Sequence, residues 1–168
     1  MKIDLHPLSG RIGEKLSFEL QPAEVPERVK AEMPWVEEIQ KISGTAENKG
    51  NKIALVGEMV YWVQTVCDRC SKELSRQEKI SFEEDVFEEK NAELSSESLY
   101  IQDSEVDISG MVEDYLLLSA PSQRLCREEC AGLCLKCGAD LNEVACECKS
   151  EEYNPKFEKL ALLKGKFS

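Results

Sequence analysis

Eight cysteines are the residues of this 168-residue chain best equipped for chemistry, and six of them crowd into one stretch. That stretch, LCREECAGLCLKCGADLNEVACEC, runs from Leu125 to Cys148 and holds Cys126, Cys130, Cys134, Cys137, Cys146 and Cys148. Cys67 and Cys70 form a separate CxxC far upstream. Thiolates spaced this closely can converge on one ion with no hydrophobic core beneath them. The N-terminus, MKIDLHPLSG, lacks the roughly 7–15-residue apolar run of a secretory signal. No stretch approaches the roughly 20 apolar residues of a membrane span. The chain is therefore expected in the cytoplasm, with no membrane partner. In a reducing compartment, clustered cysteines read as metal ligands before they read as disulfides.

Cys134-Leu-Lys-Cys137-Gly138 is the strongest single signal, because a glycine after the second cysteine lets backbone N–H groups turn toward sulfur. Cys146-Glu-Cys148 supplies two more thiols, and the four complete a first tetrahedral site of the zinc type. Cys67, Cys70, Cys126 and Cys130 would then make a second. The expected cofactor is structural Zn2+, one or two per chain. In a Cys-X-Cys the alternating side chains tend to point apart, so a single ion taking Cys126 or Cys130 in place of Cys148 is an open alternative. A different chemistry is thiol redox exchange at Cys67-Asp-Arg-Cys70, with Arg69 lowering a thiol pKa. Such a motif should open a helix, whereas strand-like sequence flanks this one on both sides. The lone histidine, His6, sits beside Pro7, and no phosphate loop or nucleophile elbow is present. A four-thiolate zinc is coordinatively closed, so an enzyme is the weaker expectation.

The elements that must hold these thiols are mostly strands. Ile3 and Leu5 suggest a short first strand, and Leu16, Phe18 and Leu20 alternate cleanly through Lys15–Gln21. A short helix fits between Val25 and Met33. From Trp35 the pattern is strand again, turning at Asn48-Lys49-Gly50-Asn51 into Lys52–Val66, then through the CxxC into Glu73–Phe87. The simplest topology is an antiparallel meander whose hairpin tip carries Cys67 and Cys70. Glu88–Asp103 reads as a polar surface loop. Ile108–Ala120 predicts a helix packed on the sheet through Met111, Val112, Tyr115, Leu116 and Leu118, with Asp107 or Ser109 capping it and Pro121 ending it. Asn154-Pro155 begins a second helix as far as Gly165. The expected class is α+β: an antiparallel sheet packed by one or two helices over 1–120, with a cysteine-rich zinc-binding module and C-terminal helix over 121–168.

The net charge of −12 is unevenly spread. Residues 67–125 carry 15 acidic and 6 basic side chains, while the flanking stretches are close to balanced. Phosphate binding draws on Lys and Arg, which are outnumbered by acidic residues in this middle region, and an acidic face suits a basic partner better.

The residues also resemble a known family. Cys67-Asp-Arg-Cys70 closing a strand run, Val106-Asp-Ile leading to Met111–Ala120 and Pro121, LCREECAGLCLKCGADLN followed by CEC, and Asn154-Pro-Lys-Phe-Glu-Lys-Leu are similar to the YceD family. The likeness is specific from Gly57 onward. It implies a ribosome biogenesis role supporting accumulation of large-subunit ribosomal RNA, with a large-subunit ribosomal protein or pre-ribosomal particle as partner. Two contact modes follow. A basic ribosomal protein would be held by acidic residues such as Glu83, Glu84, Glu88 and Glu89. Local RNA contact would instead use Arg124, Arg127, Lys136 and Lys149 around the cysteine module.

Overall fold

The computed structural model describes residues 1–21, 23–87 and 99–148. Its strands are β1 (Lys2–Asp4), β2 (Lys15–Leu20), β3 (Val36–Asn48), β4 (Ile53–Val66), β5 (Glu73–Phe87), β6 (Leu99–Gln102) and β7 (Glu105–Asp107). Two helices join them, α1 (Glu27–Glu32) and α2 (Ser109–Leu118), with a short 3-10 turn at His6–Leu8. The seven strands form one sheet in the order β1-β7-β6-β5-β4-β3-β2, and the class is α+β.

The long meander β3–β4–β5 is the spine. β4 alternates because its inward residues Ile53, Leu55, Met59, Tyr61 and Val63 are buried while Val56 and Val66 face out. Val29 from α1 and Met111, Val112 and Leu116 from α2 pack into the same core as Leu55, Met59, Phe82 and Val86. The carboxylate of Asp107 accepts the Ser109 backbone N–H at 2.9 Å at the start of α2, and also pairs with the terminal amino group of Met1 at 3.1 Å.

Three details differ from the sequence reading. The sheet is mixed rather than a pure antiparallel meander, since β6 runs parallel to β5 at Val86↔Leu99 and Phe87↔Tyr100. Leu99–Gln102 belongs to that strand and not to a polar loop. Its hairpin with β7 turns at Asp103 and Ser104, which adopt φ of 52° and 67°; positive φ at both central residues suits the twist of a tight hairpin, but here no glycine announces it. Leu118 lies outside the buried stripe of α2, at 85% exposure. The expected helix from Asn154 to Gly165 lies outside the described residues. Among the described residues, no helix is long and apolar enough to cross a membrane.

Candidate metal centre

Two Cys-X-X-Cys turns form the same local structure. In the first, which caps the β4–β5 hairpin, Ser71 N–H donates to the Cys67 carbonyl and Cys67 N–H donates to Lys72, both at 2.8 Å. In the second, Gly138 N–H donates to the Cys134 carbonyl and Cys134 N–H to Ala139, again both at 2.8 Å. The residue after the second cysteine is left-handed in each, Ser71 at φ 57° and Gly138 at φ 74°. This geometry rolls the backbone around the cysteine sulfurs. Glycine adopts it freely, whereas serine does so at a cost.

Each turn meets two further cysteines. The sulfurs of Cys67, Cys70, Cys126 and Cys130 lie within 4.8 Å of one another, and so do those of Cys134, Cys137, Cys146 and Cys148. All eight are free thiols. Four sulfurs bound tetrahedrally at about 2.3 Å from one ion would stand about 3.8 Å apart along each edge. The structure has Cys67–Cys130 at 3.8 Å, Cys70–Cys126 at 3.6 Å, Cys137–Cys146 at 3.7 Å and Cys134–Cys146 at 3.3 Å. Both groups can hold a metal ion. Cys146 and Cys148 do not part, because the chain there is not an extended strand and the Cys148 N–H turns to the Cys146 sulfur at 3.3 Å.

Without a cation, the four thiols of each group compete for protons. Backbone N–H groups of Cys137 and Lys136 draw the Cys134 thiol down to about 6. The Cys146 and Cys137 sulfurs push Cys148 up to about 12. At Cys67 burial raises the thiol, but backbone N–H groups of Cys70, Arg69 and Cys126 outweigh it and the value falls to about 6. At Cys70 the Lys72 N–H pulls down, yet burial and the neighbouring sulfurs prevail at about 12. One thiolate therefore forms readily in each group and the last resists, since like charges repel at this range. A divalent cation removes that conflict, and the donor set suits a thiophilic one.

The groups differ in setting. Cys67, Cys70 and Cys130 are buried beside Leu74, Leu125 and Cys126, whereas Cys137 and Cys148 are exposed. Asn142 links them: its side-chain N–H points to the Cys130 sulfur at 3.5 Å, and its Oδ1 accepts the Ala131 N–H at 2.9 Å. Arg69 donates to the Cys130 carbonyl at 3.0 Å, and its own carbonyl accepts the Leu133 N–H at 3.0 Å. Sequence reasoning missed Asn142 altogether and considered Arg69 only as a thiol activator. Nothing in the sequence links residue 142 to residue 130. Ser71 was also missed, although it stands at the offset that Gly138 occupies after its own CxxC. With both its sulfurs among four, and on a hairpin tip instead of a helix start, Cys67–Cys70 lacks the setting of a redox motif.

Two of the basic residues expected near RNA, Arg124 and Arg127, have partners within the chain. Arg124 grips Asp68 at 2.7 Å, donates to the Thr65 hydroxyl at 3.2 Å and stacks on Trp35 at 4.6 Å. It fastens the chain after α2 to the hairpin. Arg127 donates to Asn142 at 2.7 Å. Lys136 sits exposed at the tip of the second turn, and Lys149 lies outside the described residues. Among the acidic residues, Glu83 and Glu84 are neighbours on β5, so their side chains leave opposite faces of the sheet. Glu83 is exposed, and Glu84 is half-buried and raises the pKa of the Tyr115 hydroxyl from nearby, a smaller contribution than burial. Glu88 and Glu89 lie outside the described residues.

Fold and site together define a small α+β sheet protein clamped at one end by two four-cysteine centres. The model of the family described as large ribosomal RNA subunit accumulation protein YceD matches residues 55–164, a span containing all eight cysteines, and the chain belongs to that family. It is 38% identical over 60 residues to the Arabidopsis thaliana protein "Large ribosomal RNA subunit accumulation protein YCED homolog 1, chloroplastic", an alignment covering 36% of this chain and 19% of that protein. The Zea mays protein of the same name is 39% identical over 66 residues, covering 39% and 21% respectively. The match thus spans about a fifth of the length of these relatives. No solved structure matches.

Proposed function

We propose that this chain supports accumulation of large-subunit ribosomal RNA as a non-catalytic assembly factor, stabilised by two zinc ions and holding a basic large-subunit ribosomal protein. The observation that carries the ribosomal part is the family match over residues 55–164. Zinc is supported by two all-sulfur donor sets at tetrahedral spacing. One ion would be held by Cys67, Cys70, Cys126 and Cys130, the other by Cys134, Cys137, Cys146 and Cys148. With four protein ligands at each ion, no position is left for substrate, and the metal acts as a cross-link.

The basic partner is supported by the charge distribution. Residues 67–125 carry nine more acidic than basic side chains, and Arg124 is already turned inward on Asp68. Capture from cell extract at low salt, scored for large-subunit ribosomal proteins against pre-ribosomal RNA, tests the reading. Charge reversal at Glu83, Glu84, Glu88 and Glu89 is expected to lose a ribosomal protein. If capture instead fails on Arg127→Ala with Lys136→Ala and Lys149→Ala, and falls steeply with salt, direct RNA contact replaces it.

A further inference from the structure

The inward positions of β5 read Leu74, Arg76, Glu78, Ile80, Phe82, and two of them carry charge where an apolar core is expected. α2 covers the sheet at Phe82 through Tyr115, and the first cysteine group covers Leu74. Between them the sheet face opens into a cavity of about 280 Å³, close to the lower limit of small-molecule sites at roughly 300 Å³. Its apolar walls include Trp35, Tyr61 and Val63, and Ser119 and Pro121 close the helix end. The pair is half-exposed, Arg76 at 49% and Glu78 at 36%, so the cavity is reached from solvent beside it.

The groups that line the cavity have hydrogen-bonding capacity left over. Arg76 uses Nε on Glu78 at 2.6 Å and Nη1 on the Leu125 carbonyl at 3.3 Å, leaving Nη2 unbonded among the described residues. The Ser119 hydroxyl donates to the Leu116 carbonyl at 2.7 Å, and the Tyr61 hydroxyl stands 3.5 Å from the Ser119 oxygen, too long for a good O–H···O bond, so Tyr61 keeps its donor. Of the cations along the cavity, Lys79 is paired with Glu58 and Arg124 with Asp68, so Arg76, beside Glu78, is the one with a donor to spare. Aromatic walls suit a flat ring, Tyr61 and Glu78 offer a donor and an acceptor to its polar edge, and the spare donor of Arg76 suits an anion beside it. We propose that this cavity binds a nucleotide, either free or as an unstacked residue of single-stranded RNA. Among the described residues, the cavity lining includes neither Glu83 nor Glu84, so this site stands or falls apart from the proposed function.

Trp35 reports directly on occupancy once the second tryptophan is removed in a Trp62→Phe background. The zinc-loaded chain is titrated with the four ribonucleoside monophosphates, with a single-stranded oligoribonucleotide, and with phenylpropionate as an aromatic acid lacking a base. A saturable change in Trp35 fluorescence with nucleotide is expected, weakening as salt rises. Arg76→Gln should weaken it roughly tenfold, the worth of one charge-assisted hydrogen bond. Ser119→Phe should fill the cavity and abolish the change, and unchanged metal content and circular dichroism show that both variants are folded. Binding of monophosphates identifies a free nucleotide; binding of the oligomer alone, with the same sensitivity to both variants, identifies an RNA residue. The proposal is overturned by no saturable change, by oligomer binding indifferent to both variants, or by an equal response to phenylpropionate.

Discussion

At the residue scale, the cysteine module depends on a few small or polar side chains that contribute no ligand. Gly132 and Gly138 make the point by contrast. Both are left-handed, at φ 76° and 74°. A β-carbon on Gly138 would meet nothing within 4 Å, whereas one on Gly132 would sit 3.0 Å from the Arg69 carbonyl oxygen. That carbonyl also accepts the Leu133 N–H, so it cannot retreat freely. Gly138→Ala should therefore cost only the backbone strain, about 1–2 kcal/mol. Gly132→Ala should cost that and a further ~1 kcal/mol or more from overpacking. Urea unfolding of the metal-loaded proteins checks the order; equal losses would show that the Arg69 contact yields easily.

At the element scale, the two centres should behave unequally. The first joins the β4–β5 hairpin to the chain that follows α2, with Arg124 on Asp68 beside it. The second is made by one continuous stretch, from Cys134 to Cys148. Removing both ligands of a turn should release one metal ion in either case. Cys67→Ser with Cys70→Ser should also loosen the sheet, because it leaves buried polar groups beside Leu74 and frees residues 121–132 from the hairpin. Cys134→Ser with Cys137→Ser should leave the thermal transition of the sheet within a few degrees of its original value. Metal analysis and differential scanning calorimetry on the two double variants decide this. Identical transitions would mean that the first centre does not fasten the hairpin.

At the scale of the whole molecule, acid acts through two kinds of group. Thiolates that hold a metal ion take up protons as pH falls, so an ion bound at either centre should leave on acidification. The Asp107 carboxyl is a separate case: hydrogen bonds from Ser109, with the terminal amino group of Met1 adding a smaller contribution, hold it at about 2, against about 3.9 unfolded. Its pKa is lower in the folded state, so its stabilisation is present above about pH 4 and disappears as pH falls toward about 2. The group is largely exposed, which limits the effect to less than about 1 kcal/mol. Asp107→Asn should be less stable than the parent at pH 7, and the gap should close below about pH 3. Comparing the two proteins at each pH cancels the metal loss they share. A gap that persisted at pH 2 would assign it to the amide substitution instead of to charge.

The sequence by itself determined the ligand types, the two Cys-X-X-Cys turns, the long meander and α2, because thiol spacing, left-handed glycine and period-two alternation are local properties of the chain. It left open which cysteines share an ion, since Cys67 and Cys130 are brought to 3.8 Å only by folding β4 and β5 against the chain after α2. The boundary near Pro121 is similar: a cut there separates sheet from cysteine module along the chain, yet the first centre takes two sulfurs from each side. Only the tertiary structure turned Arg124 inward onto Asp68 and Trp35, placed Glu83 and Glu84 on opposite faces, set Asn142 against Cys130, and left Arg76 and Glu78 at the wall of a cavity. Each of these is a contact between residues distant in sequence, or the outcome of which sheet face a neighbour covers, and neither can be read from spacing alone.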